Sequence, residues 1–311
     1  MAEIETRTLD VAGATLQYDI RREAKNDTRS DTTSGPTGGG AGQPVLFLVG
    51  SPMDAAGFAT LAAHFTDRSV VTCDPRGTGR SVRTDAAPEV GPEEHADDLR
   101  RVIEALGEGP VDMFASSGGA VNALALVPLH PELLRTLVVH EPPTAQVLPD
   151  REAALAACED IHATYLRDGM GPAMAKFIAL SSRQGPLPDN RADDPAPDPA
   201  AFGLPTEDDG SRDDPLLGQN MRGCTGYLPD FDALRAASTR IVVAAGKESE
   251  GELAARAAAE VAARLGVELT VFPSHHGGFL GPSPGTPALR HPPCTRACRR
   301  GAPQRPAPEW R

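Results

Sequence analysis

Aromatic residues are scarce in this chain, at 4% of 311 residues with a single Trp, and basic residues are outnumbered by acids, giving a formal net charge of −13. The deficit of Lys and Arg argues against a nucleic-acid partner, because neutralising phosphates needs a surplus of them. Apolar runs are short, and none reaches the ~18 residues of a membrane span. The opening MAEIETRTLD has neither a basic nor an apolar segment of the kind that directs export, which reads as a cytoplasmic protein. Cysteine is equally sparse: Cys73, Cys158, Cys224, Cys294 and Cys298 stand apart without a C-x-x-C pair. An odd, dispersed set reads as reduced thiols and not as a disulfide frame. The eight His residues show no metal-ligand spacing, so no metal is expected. Nucleotide loops are missing as well. The run Gly77-Thr78-Gly79-Arg80-Ser81-Val82 lacks the third Gly of a dinucleotide fingerprint, and there is no P-loop.

What the chain does have is 40% hydrophobic residues, enough for a sizeable core. These residues alternate between two periods. Ile4–Leu9 and Thr15–Ile20 read as an antiparallel strand pair. Residues 24–43, AKNDTRSDTTSGPTGGGAGQ, are too polar to order themselves and read as a flexible loop. Strands follow at Val45–Val49, Ser69–Cys73, Val111–Ala115 and Thr136–Val139, with helices at Ala55–Phe65, Pro92–Leu106 and Ser117–Leu129. Pro at the start of the Pro92 segment, acids in its first turn and Gly107 after its end give it the polarity of a helix. Strands and helices alternating at these lengths predict an α/β fold, a mostly parallel sheet flanked by helices. The alternation breaks over residues 144–236, where helices at Arg151–Arg167 and Pro172–Ser182 and an irregular Gly185–Pro215 stretch suggest an insertion. It resumes over 237–280 with strands Ile241–Ala245 and Val267–Phe272 around a helix at Gly251–Leu265. The expected organisation is thus a core in two parts, 1–143 and 237–280, with a helical cap at 144–236 between them.

Residues 281–311 read differently. They hold eight Pro, six Arg and two Cys, with Leu289 the one large aliphatic residue. No apolar face can be drawn there, and the prolines forbid a long helix. The composition is that of GC-rich coding sequence read out of frame, which suggests a frameshift; a basic, disordered tail that contacts an acidic partner is the other reading.

The segment Phe114-Ala115-Ser116-Ser117-Gly118-Gly119 lies where a strand gives way to a helix. A serine on so sharp a turn needs small residues two places before and after it. Ser117 has Ala115 and Gly119 there, whereas Ser116 would place Phe114 in the crowded position. Ser117 is therefore the candidate nucleophile, and a plain helix cap is the bland alternative.

With this turn the chain resembles the α/β-hydrolase superfamily over roughly residues 40–280, most closely its uncharacterised soluble bacterial serine hydrolases. Asp74-Pro75-Arg76-Gly77-Thr78-Gly79-Arg80-Ser81 is similar to the superfamily's D-x-R-G-x-G-x-S loop. Gly50-Ser51-Pro52-Met53-Asp54 is similar to its oxyanion loop, with Val49 where a His is usual. Phe272-Pro273-Ser274-His275-His276-Gly277-Gly278-Phe279 falls where the superfamily places its histidine. The resemblance implies Ser117 as nucleophile, His276 as general base with His275 its exposed neighbour, and backbone N–H groups of Ser51 and Gly118 as the oxyanion hole. For the acid it points to the loop after Ile241–Ala245, where Ser249 stands at the commonest acid position. Glu248 is the leading choice, with Glu250 and Glu141 as alternatives. Asp97-Asp98 are expected on a solvated face, and His95 and His162 at the surface. The implied function is cofactor-free hydrolysis of a small ester or related acyl substrate through an acyl-enzyme. Perhydrolase chemistry, carbon–carbon bond hydrolysis and a non-catalytic ligand-binding role share the scaffold. Substrate identity and oligomeric state are left open.

Overall fold

The computed structural model of the protein describes residues 4–22, 43–87, 89–188 and 196–281. Apart from Gln43 and Gly281, the expected loop at 24–43 and the Pro/Arg-rich segment at 281–311 lie outside the described residues.

Among the described residues, nine strands form one sheet. In chain order they are β1 (Ile4–Val11), β2 (Ala14–Arg21), β3 (Leu46–Val49), β4 (Val70–Asp74), β5 (Val82–Arg83), β6 (Val111–Ser116), β7 (Leu134–His140), β8 (Arg240–Gly246) and β9 (Thr270–Phe272). In space they run β1-β2-β4-β3-β6-β7-β8-β9, with the short β5 beside β2. The pairings of β2 with β1, β4 and β5 are antiparallel, and all those from β4 to β9 are parallel. β3, β4 and β6 are buried at every position, as strands covered on both faces must be. Every strand expected from the sequence is present to within a few residues at each end. Only β5 was not foreseen, since two residues carry no periodicity.

The helices are α1 (Ala59–Ala63), α2 (Pro92–Leu106), α3 (Gly118–Leu126), α4 (Arg151–Asp168), α5 (Met170–Ser181), α6 (Met221–Gly226), α7 (Phe231–Ala236) and α8 (Leu253–Leu265). The helix expected at Ala55–Phe65 begins with a 3-10 turn, Ala55–Phe58, capped by the Asp54 side chain, before α1. α2 has the expected limits, and Gly107 closes it at φ 67°. α3 is buried along its whole length, which accounts for a sequence that is apolar except at Asn122. Between β7 and β8 lie α4 to α7. The sequence shows α4 and α5 clearly, but α6 and α7 are too short to display a period.

The order of strands decides where a site can form. From β3 the chain moves to β4 on one side and later to β6 on the other, so the loops after β3 and β6 diverge across a crevice at the C-terminal edge of the sheet. Such a reversal is where ligands bind in open parallel sheets. The Asp74–Ser81 loop braces this edge. Asp74 accepts hydrogen bonds from the Ala55 N–H (2.8 Å), the Arg80 N–H (2.9 Å) and Arg80 Nε (2.7 Å). Ser81 Oγ donates to the Asp74 carbonyl at 2.7 Å and accepts from the Gln17 N–H at 2.9 Å. Arg76 is buried and makes a bidentate pair with Asp98 at 2.7 and 2.6 Å. Asp98 is thus not on a solvated face: α2 turns it inward, because the buried guanidinium needs a carboxylate.

His95 is also corrected. It is buried, and its Nε2 lies 2.7 Å from Asn220 Oδ1 on the chain segment leading into α6. His162 is half-buried, its Nδ1 2.9 Å from the Leu217 carbonyl. For His95, burial together with the nearby Arg76 and Arg83 charges outweighs the Asn220 hydrogen bond and pushes the pKa down to about 4. The unfolded chain, with an ordinary His pKa near 6.5, binds the extra proton first as the medium is acidified. The neutral ring's contribution is complete above about pH 6.5 and lost as pH falls toward 4, on the order of 2–4 kcal/mol. In His95→Gln, which keeps an N–H for Asn220, urea unfolding at pH 7 and 4.5 should give a stability difference smaller than the wild type's by about 2 kcal/mol. Parallel pH curves for the two proteins would refute the assignment.

Candidate active site

Ser117 sits between the end of β6 and the first turn of α3 with φ 57° and ψ −130°. A non-glycine residue is held at positive φ only where its surroundings over-determine it. Here the Ser117 N–H donates to the His140 carbonyl at 3.0 Å, and its own carbonyl accepts from the Ala120 N–H at 2.9 Å. The small flanks are required sterically. A Cβ on Gly119 would lie 2.8 Å from Gly50 Cα, and one on Gly118 would lie 2.6 Å from the Ser51 carbonyl oxygen. Ser116, by contrast, is buried in the strand, with Oγ 3.0 Å from His140 Nδ1.

Ser51, Ser117, Gly118 and His276 line one cavity of about 250 Å³. Its remaining walls come from α4, α5 and α6 and from the start of α8, and they are mostly apolar: Cys158, Phe177, Leu180, Met221, Cys224 and Leu253. Among the described residues the Ser117 hydroxyl has no hydrogen-bond partner, and the N–H groups of Ser51 and Gly118 make no bond within the fold. Gly118 opens α3, and first-turn N–H groups have no partner inside a helix.

His276 follows β9, and its Nδ1 lies 2.5 Å from Glu141 Oε2. Glu141 directly follows β7, at φ 46°, and is completely buried. Its second oxygen accepts the Gly246 N–H at 2.7 Å. Burial acts to raise the Glu141 pKa, but the His276 hydrogen bond, the imidazole charges and the Gly246 N–H prevail and hold it below the ordinary carboxylate value. The expected acid, Glu248, is instead exposed, as is Glu250. Ser249 is the inward-facing residue of that loop: it is buried, and its hydroxyl has no partner among the described residues. The carboxylate that reaches the imidazole comes from the neighbouring strand, and His275 is exposed beside it.

Sequence reasoning missed three further residues. His140, buried at the end of β7, stacks on Phe114, Phe272 and His276 at centroid distances of 5.6, 5.9 and 5.9 Å. Burial lowers its pKa to about 4, against the pull of Glu141 and with the push of His276. A neutral ring there places no second charge beside the pair of Glu141 and His276. Asn220 lines the cavity and receives His95 at 2.7 Å and the Ser51 hydroxyl at 3.4 Å, which ties the loop after β3 to the helical segment above it. Glu252 also lines the cavity. None of the three carries a motif, because each owes its place to long-range packing. Among the described residues no cluster of His, Cys, Asp or Glu has a metal-binding arrangement, and no helix is long and apolar enough to cross a membrane. Cys73, Cys158 and Cys224 are buried and form no disulfide among the described residues.

These features can be set beside known proteins. The family model for the alpha/beta hydrolase fold matches residues 43–199, half of the chain. The uncharacterized hydrolase YraK of Bacillus subtilis is 27% identical over 290 residues, covering 89% of this chain and 91% of its own length. A hydrolase from Pseudomonas aeruginosa superposes with a TM-score of 0.58 at 18% identity, over 88% of this chain and 92% of that one. A thermophilic esterase from Thermogutta terrifontis gives 0.57 at 18% identity, over 89% and 93%. With the sheet order, the turn at Ser117 and the family match in agreement, the chain belongs to the α/β-hydrolase family and is an enzyme of the hydrolase type.

Proposed function

We propose that the protein is a serine hydrolase that cleaves small esters or related acyl compounds through a covalent acyl-enzyme, with Ser117, His276 and Glu141 as its triad. One observation carries this reading. A serine held on a strained turn, a histidine hydrogen-bonded to a buried carboxylate and two unused backbone N–H groups all open onto the same apolar cavity.

Each group has a definite task. His276 Nε2 accepts the Ser117 proton as Oγ attacks the substrate carbonyl, and the proton then passes to the leaving group. Glu141 fixes the ring with Nδ1 protonated and stabilises the imidazolium that forms. Its folded pKa lies below the ordinary value, so it stays ionised as pH falls and remains the anionic partner throughout the working range. The Ser51 and Gly118 N–H groups point their dipoles at the developing oxyanion, where one donor is typically worth ~10²–10³ in rate. Water then attacks the acyl-enzyme with His276 as base. The helical segment at 144–236 acts as a cap that supplies the acyl pocket and limits water. Protein groups and water suffice for the whole cycle. The esterase from Thermogutta terrifontis is consistent with this substrate class. Buried reduced thiols and the absence of a membrane-spanning helix among the described residues suit a cytoplasmic site of action.

The carboxylates provide the sharpest test. With short-chain p-nitrophenyl esters, Ser117→Ala should lower kcat by roughly 10⁴–10⁶. Glu141→Gln should lower it by ~10²–10⁴, since a triad without its anion keeps the geometry but loses the tautomer. Glu248→Gln should stay within about twofold of wild type, as exposed changes generally do. A large loss in Glu248→Gln with little in Glu141→Gln would reverse the assignment of the acid.

A further inference from the structure

Glu252 precedes α8 at its N-cap position, where a carboxylate ordinarily accepts the helix's free N–H groups. It does not do so here: no cap hydrogen bond is formed. The side chain instead lines the cavity shared by Ser117 and His276. Among the described residues it has neither a cation nor a hydrogen-bond donor as partner, and it is the only acidic residue in the cavity lining. A half-buried carboxylate in an apolar wall is costly unless something compensates it. Burial and the Glu141 charge raise its pKa, and His276 opposes them, so the net balance leaves its charge under-stabilised.

Four other polar side chains of the wall already have a donor engaged with the backbone. Ser181 and Ser182 both donate their hydroxyl protons to the Ile178 carbonyl, at 3.1 and 2.7 Å. Thr225 donates to the Met221 carbonyl at 2.8 Å, and Asn220 Nδ2 to the Pro215 carbonyl at 2.7 Å. A hydrogen bond from the Gly185 N–H to the Gly251 carbonyl, 2.9 Å, ties the chain after α5 to the residue before Glu252. Each of these four side chains thus gives a donor to a backbone carbonyl, and among the described residues none of them gives one to Glu252. A cavity of this kind suits a ligand that brings a positive charge or donors of its own.

We infer that Glu252 is a specificity-determining residue, and that the site takes acyl substrates whose leaving group carries an ammonium or similar cation. The inference rests on the serine-hydrolase reading for the chemistry. Glu252 and His276 line the same cavity, and His276 hands its proton to the leaving oxygen, so a leaving group on the histidine's side of the cavity meets the carboxylate. The carboxylate is near enough to attract the cation and takes no part in bond making.

The test compares two esters of the same acyl group and shape, butyrylcholine and its uncharged isostere 3,3-dimethylbutyl butyrate. Wild type should prefer the cationic ester in kcat/KM, and Glu252→Gln should cut the ratio of cationic to neutral kcat/KM about tenfold, equivalent to one modest ion pair. Glu252→Lys should invert the preference. An unchanged ratio, including a parallel fall for both esters as a role in positioning His276 would give, overturns the inference. A second measurement needs no turnover. Calorimetric titration with choline and with 3,3-dimethylbutan-1-ol should show tighter choline binding that Glu252→Gln removes. If the binding preference holds while no ester is cleaved, the hydrolase reading fails and the cation site stands. If Ser117-dependent cleavage shows no charge preference, the cation site fails alone.

Discussion

The site depends on two backbones approaching closer than any side chain would allow. The start of α3 lies against the end of β3 so tightly that a methyl group on Gly119 would sit 2.8 Å from Gly50 Cα. This contact lets the chain double back after β6 and holds Ser117 at positive φ. It also brings Ser51 and Gly118 into the lining of one cavity. A sheet with β3 at the point of reversal places both loops on the same edge, so the proposed nucleophile and its oxyanion donors arise from topology plus two glycines.

The second half of the site spans neighbouring strands. His276 follows β9 at the sheet's far edge, while Glu141 follows β7, and their hydrogen bond crosses the end of β8, whose Gly246 N–H holds the other carboxylate oxygen. A fully buried Glu is tolerated because both its oxygens are engaged. The stack formed by Phe114, His140 and Phe272 gives the His276 ring a wall to rest on. Neutral His140 supplies bulk there without competing charge, and its link to Ser116 ties the wall to the strand that presents Ser117.

Much of this was legible in the sequence, for identifiable reasons. The buried strands announce themselves as runs such as Leu46–Val49, and α2 carries its own start and stop signals in Pro92 and Gly107. Ser117 follows from the sizes of Ala115, Phe114 and Gly119, a steric argument that needs no partner in space. The placement of the acid does not follow in the same way. Local counting after β8 lands on Ser249 and its neighbour Glu248, yet the loop turns Glu248 outward, and the carboxylate that meets His276 is supplied 107 residues earlier in the numbering, by Glu141. His95, Asp98 and Asn220 were obscured for the same reason: polarity suggests exposure unless the distant partner is known. Arg76 for Asp98 and Asn220 for His95 are those partners.

Whether the cavity is an active site turns on whether Ser117 is its activated nucleophile. The most direct measurement is peptide mass mapping of the full chain after reaction with a fluorophosphonate. A single phosphonyl adduct on the peptide containing Ser117, absent when His276 is replaced by Ala, is the expected result. An adduct on Ser116 or on another residue, or no adduct on a folded protein, would contradict it.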